Sequence, residues 1–116
     1  MHIANSEWKI MNLLWEKKMS VSQLTTALSA EKGWTKHTVI VLLKRLEERG
    51  CISYETIGRT KWFYPIVDRG ETTFEATEEF LSRIYSGSCV SLFNNLVSNN
   101  AISEEELEAL KALINK

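Results

Sequence analysis

Histidine and cysteine are scarce in this 116-residue chain, at two each. His2 and His37 stand alone, and no CxxC pair or histidine cluster offers the ligand spacing of a metal site. Cys51 and Cys89 lie far apart and suit a reduced intracellular pair rather than a disulfide framework. His37 and Cys51 could be cast as base and nucleophile, but no third residue orients them, so neither an enzyme nor a cofactor is expected. No apolar run approaches the roughly 18 residues of a membrane span. The opening MHIANSEWK has neither the basic start nor the long apolar core of a signal peptide. A cytoplasmic protein with no direct membrane binding is expected.

Net charge is also small, at −1. Its distribution is uneven. Residues 1–67 carry ten Lys/Arg against six Asp/Glu, whereas residues 68–116 carry four against nine. A basic half followed by an acidic half suggests a polyanion-binding module joined to a module with another task. Apolar residues make up 44% and charged residues 25%, ordinary for one compact domain or for a small domain with an arm.

The spacing predicts six helices and one hairpin. EWKIMNLLWEKK opens the series, with Ser6 as the expected N-cap; Trp8, Met11 and Trp15 follow helical spacing with Leu14 beside them, and the two tryptophans are expected core anchors. VSQLTTALSAEK follows. Ser20 and Gln23 form a capping box there, and Val21, Leu24 and Leu28 share a face. A third helix starts after Thr35 and stops at Gly50, which fits the left-handed position past a last turn. CISYETIGRTKWFYPIV then reads as two strands around Gly58-Arg59, with Pro65 suiting an edge. Three helices and a hairpin in this order make a winged helix.

Beyond Asp68-Arg69-Gly70 the pattern changes. Phe74, Thr77, Phe80, Leu81, Ile84 and Tyr85 share a broad face. CVSLFNNLVSNN adds Val90, Phe93 and Leu96 or Val97. Ser103 and Glu106 form a second capping box ahead of Leu107, Leu110 and Ile114. Such short amphipathic helices cannot bury these faces alone. A second copy of the chain is the simplest cover, with Phe80, Ile84, Phe93, Leu96, Leu107 and Leu110 as expected dimerisation residues.

The third helix contains VIVLL, and only one side of it can face a core. At about 100° per residue, Val39, Leu42, Leu43 and Leu46 point inward. His37, Val41, Lys44 and Glu48 lie opposite. Ile40 and Arg45 flank them, and Lys36 and Thr38 sit at the N-terminal edge. A helix entering a DNA major groove can set such apolar residues against thymine methyl groups while basic neighbours hold phosphates or guanine edges. Arg59 and Lys61 at the hairpin tip suit phosphate contact. The expected DNA-binding set is therefore Lys36, His37, Thr38, Ile40, Val41, Lys44, Arg45, Arg59 and Lys61.

The runs SEWKIMNLLWEKK, GWTKHTVIVLLKRLEERG and GRTKWFYPIV, with RIYSGSCVSLFNNLVSNNAISEEELEALKALINK after them, resemble the penicillinase-repressor family (BlaI/MecI type). The resemblance implies a homodimeric winged-helix repressor on a near-palindromic double-stranded DNA operator. It also implies a membrane receptor-protease that releases some members by cutting the dimerisation arm between Asn and Phe. The aligned bond here is Asn95–Leu96. Family members usually carry Arg or Gln at the position of Ile40, Thr at that of Val41, and often Pro-Lys at that of Lys36-His37. A different operator sequence is implied. The copper-responsive branch ends in a Cys-x-Cys site, and this chain ends in EALKALINK.

The expected fold is mainly α with a small β-hairpin. A winged helix-turn-helix domain spans residues 1–67 and a helical dimerisation domain residues 70–116. The rival reading is a winged-helix protein-interaction module without DNA binding. The two differ in the salt dependence of DNA affinity.

Overall fold

The computed structural model describes residues 2–116, with Lys32 described by its backbone alone. Three helices come first: α1 (Asn5–Glu16), α2 (Val21–Lys32) and α3 (Lys36–Glu48). Strands β1 (Ile52–Ile57) and β2 (Thr60–Pro65) follow, then helices α4 (Arg69–Tyr85), α5 (Cys89–Ser98) and α6 (Glu104–Ile114). The chain forms two compact units, dividing between Ala76 and Thr77 inside α4.

Local chemistry sets most boundaries in the first unit. Ser20 accepts from the Gln23 N–H at 3.2 Å, and Gln23 reaches back to the Ser20 N–H at 3.4 Å, closing the capping box of α2. Thr35 caps α3 through the Thr38 N–H at 3.3 Å. At the other end, Gly50 takes φ +75°, and the Gly50 and Cys51 N–H groups bond the carbonyls of Glu47 and Leu46 at 3.0 Å each. This is the crossed pair of bonds of a Schellman stop.

The start of α1 differs from expectation. Its N-cap is Ala4, not Ser6, and the helix ends at Glu16, short of Lys18. Alanine has no capping oxygen, so Glu7 does the work alone, accepting from the Ala4 N–H at 2.8 Å. Glu7 is only 1% exposed, and its other carboxylate oxygen takes a hydrogen bond from Arg49 at the end of α3. Arg49 also donates to the His2 carbonyl. The buried charge is thus paired and bonded, and it ties the N-terminal segment to α3.

The core of this unit is built from Ile10, Met11 and Leu14 of α1, Leu24 and Leu28 of α2, and Val39, Leu42, Leu43 and Leu46 of α3. Cys51, Ile52 and Phe63 close it from the hairpin side. Trp8 and Trp15 are half-buried flanks rather than interior anchors, with ring centroids 6.0 Å apart. The Trp15 indole donates to the Val67 carbonyl at 3.2 Å.

The hairpin is antiparallel, pairing Ile52 with Pro65 through Ile57 with Thr60, and Gly58 supplies the turn at φ +66°. Its second strand is not a free edge. Met19 pairs with Phe63 through two backbone bonds, of 3.1 and 2.8 Å, on the side away from β1. Pro65 lies two residues on and points its missing N–H to that same outer side, so the ladder to β1 loses nothing.

Asp68-Arg69-Gly70 is a helix start. Asp68 accepts from the Glu71 N–H at 3.0 Å, and Gly70 lies in the first turn of α4. In the second unit, Ser103 and Glu106 form the expected capping box of α6. Asn100, at φ +55°, closes α5: its N–H bonds the Val97 carbonyl at 3.1 Å, and the Ala101 N–H bonds the Leu96 carbonyl at 2.9 Å. Of the face expected on α4, only Leu81 is buried. Phe80, Ile84, Phe93 and Leu107 are exposed, while Leu96 and Leu110 are half-buried. A groove of about 440 Å³ runs between α5 and α6, lined mainly by Val90, Phe93, Val97, Leu107, Leu110 and Ile114.

Candidate nucleic-acid interface

The inward face of α3 is as expected: Val39, Leu42, Leu43 and Leu46 are at most 5% exposed. This anchoring fixes which residues point out. Lys36, His37, Lys44 and Arg45 are exposed, and Ile40 is 44% exposed. Val41 is half-buried yet stands outside the core cluster. Thr38 is half-buried and occupied, since its N–H and hydroxyl both meet the Thr35 hydroxyl at 3.3 Å.

The wing lies beside one edge of this face. A groove of about 520 Å³ brings Lys36 of α3 together with Arg59, Thr60 and Lys61 of the wing and the outer side of α2. A second, of about 490 Å³, joins Ile40 and Lys44 to Lys61 and Phe63. The wing tip and the first two turns of α3 therefore form one surface. Glu47 and Glu48 border the second groove. Their carboxylates would repel a phosphate backbone, so a polyanion fits the N-terminal part of α3 better than its end.

The charge on this surface is not neutralised from within. Lys9, Lys18, Arg49, Arg69, Arg83 and Lys111 each have a carboxylate partner. Among the described residues, Lys36, Lys44, Arg45, Arg59 and Lys61 have none; Lys17 and Lys116 are the other described basic side chains of which this holds. Lys61 instead stands over the Tyr54 ring, its Nζ 4.4 Å from the centroid. That contact holds the ammonium in place without cancelling its charge.

The α2 side of this surface was not expected. Ser22, Thr25, Thr26 and Ser29 line the larger groove, opposite the buried Leu24 and Leu28. A hydroxyl stripe at helical spacing is visible in VSQLTTALS, but serine and threonine are so common on solvated helices that spacing alone does not single it out. Thr25 and Thr26 donate to the carbonyls of Val21 and Ser22, at 2.8 and 3.0 Å.

His37 and Cys51 do not form a catalytic pair. His37 is exposed on α3, whereas Cys51 is fully buried in the core. Burial pushes the Cys51 thiol up from its ordinary value, against the lowering effect of Arg49, so the reactive thiolate is disfavoured.

The family model of the penicillinase repressor matches residues 3–116. The chain belongs to the penicillinase repressor family. It is a family of DNA-binding transcriptional repressors, which are not enzymes. The chain is 28% identical to the methicillin resistance regulatory protein MecI of Staphylococcus aureus, over 98% of its own length and 94% of the relative's. Its fold resembles the DNA-binding domain of the repressor BlaI, with TM-score 0.55 and 22% identity over 60% of this chain and 87% of that one. It also resembles monomeric BlaI of Bacillus licheniformis in complex with the blaP half-operator, with TM-score 0.54 and 22% identity over 61% and 88% of the two chains. No helix among the described residues is long and apolar enough to cross a membrane.

Proposed function

We propose that the chain acts as a homodimer on a near-palindromic operator, with α3 entering the major groove and the wing lying along the backbone. The observation that carries this is the cluster of unneutralised cations Lys36, Lys44, Arg45, Arg59 and Lys61 around the outer face of α3. Phosphate neutralisation by such groups releases counterions and supplies much of the affinity. Ile40 and Val41, between the cations, offer apolar contact to thymine methyl groups, while Lys44 and Arg45 can bond guanine edges. His37 and Thr38 sit at the N-terminal entry to the same surface. The BlaI structure solved with a half-operator supports DNA as the partner.

The exposed apolar faces of the second unit support the dimer. Phe80, Ile84, Phe93, Leu96, Leu107 and Leu110 present more apolar surface than three short helices cover. A second arm would bury it and place two recognition helices on adjacent half-sites. Release by a membrane receptor-protease at Asn95–Leu96 completes the proposed cycle. This bond lies inside α5, so cutting requires local unwinding first.

Selection of bound fragments from a random DNA pool tests the proposal. A two-fold symmetric sequence is expected, with half-sites about one helical turn apart, and Arg45→Ala should weaken its binding. Selection that enriches no sequence would favour a protein-interaction module instead.

A further inference from the structure

The bond read as the release point is held shut by its own surroundings. The helix around it, α5, is short and buries no side chain. Helices of this length are marginal without support. Support comes from a side-chain network at the bond itself. The Asn95 carbonyl oxygen accepts twice from Asn99, from its backbone N–H at 3.2 Å and from its amide Nδ2 at 2.8 Å. The same Nδ2 lies 2.9 Å from Asn95 Oδ1. On the other side, Asn95 Nδ2 donates to the Tyr85 hydroxyl at 2.9 Å, which ties α5 to the last residue of α4. The next carbonyl, of Leu96, accepts from the Ala101 N–H at 2.9 Å.

We propose that Tyr85, Asn95 and Asn99 form a latch that keeps α5 wound across the Asn95–Leu96 bond and sets how readily it is cut. The inference rests on the reading of that bond as the release point. Hydrolysis adds water across the amide, leaving a carboxylate on Asn95 and a free amine on Leu96. A protease must polarise the Asn95 carbonyl to do this. In the wound helix that oxygen already serves two donors, and the chain is not extended for an active site. Opening must therefore break the Asn99 bonds and free Asn95 from Tyr85. The groups are neutral and mostly exposed, so each side chain is worth a modest factor, about two- to tenfold in the open population. That range suits a gate: closed by default, yet opened without unfolding the winged helix.

The test uses the full chain and two variants, Tyr85→Phe and Asn99→Ala. Hydrogen exchange in α5 and the rate of cutting by thermolysin, which cleaves ahead of leucine, are followed with fragment masses. Asn99→Ala is expected to speed both by about three- to tenfold and Tyr85→Phe by about two- to threefold. Exchange in α3 and DNA affinity of the uncut protein should not change. Unchanged exchange and cutting in both variants would overturn the latch, as would acceleration spread evenly over α4, α5 and α6. Faster α5 exchange with no cut at Asn95–Leu96 would instead sink the reading of that bond as the release point. Loss of the DNA reading shows separately, as failure of the uncut wild type to bind.

Discussion

The two units solve the burial problem in opposite ways. Residues up to Ala76 close a core of their own, with Ile10, Met11, Leu24, Val39 and Leu46 fully buried. From Thr77 onward only Leu81 is buried, while Phe80, Ile84, Val90, Phe93, Val97, Leu107, Leu113 and Ile114 are exposed in the single chain. Charge follows the same division, with basic side chains left unpaired in the first unit and a glutamate-rich start to α6 in the second. A unit that is finished alone can meet a polar, charged partner such as DNA. A unit that leaves its apolar faces outward needs a matching apolar surface.

The largest effect should come from removing most of the unfinished unit. A chain ending at Asn95 loses α6 and the end of α5, including Leu96, Leu107 and Leu110. It should keep the winged helix folded, sediment as a monomer, and lose about 10²- to 10⁴-fold in operator affinity, because two linked half-site contacts become separate ones. A tight dimer with undiminished affinity would erase the contrast between the units.

Paired leucine truncations sharpen the contrast. Leu46→Ala opens a cavity in a closed core and should cost about 2–5 kcal/mol of unfolding free energy, independent of protein concentration. Leu107→Ala should act on association, weakening the dimer by about 1.5–3 kcal/mol and making the melting temperature shift with concentration. Sedimentation and thermal melts at several concentrations separate the two. Concentration-independent loss from Leu107→Ala would mean that α6 belongs to an intramolecular core.

How legible these differences were depends on how local their causes are. The capping boxes at Ser20 and Ser103, the cap at Thr35 and the stop at Gly50 act within a few residues, and the inward face of α3 repeats every turn. All of these could be read from the chain. The missed features join distant residues or break a local rule. Nothing near Glu7 announces Arg49, 42 residues away. Nothing near Met19 announces Phe63. Ala4 cannot cap through a side chain, so Ser6 drew the assignment. Gly70 is a poor helix former, yet Asp68 caps the helix that contains it. At the site, the α3 cations and the wing tip were legible, but the α2 hydroxyl stripe emerges only when the hairpin is set beside it.

The smallest expected effect lies within the finished unit. Val41 stands outside its core, so Val41→Ala should leave the melting temperature nearly unchanged. It should lose about 1 kcal/mol on the operator and little on random DNA, as expected for a thymine methyl contact. A marked fall in melting temperature would place Val41 among the core residues and contradict the division between the two faces of α3.

The salt dependence of DNA affinity tests the central claim most directly. If Lys36, Arg59 and Lys61 of each protomer meet phosphates in a dimer, log affinity should fall against log salt with a slope of roughly −5, and Arg59→Ala should reduce it by roughly one unit per protomer. An affinity that barely responds to salt, or a slope untouched by Arg59→Ala, would show that the outer face of α3 and the wing do not hold the backbone.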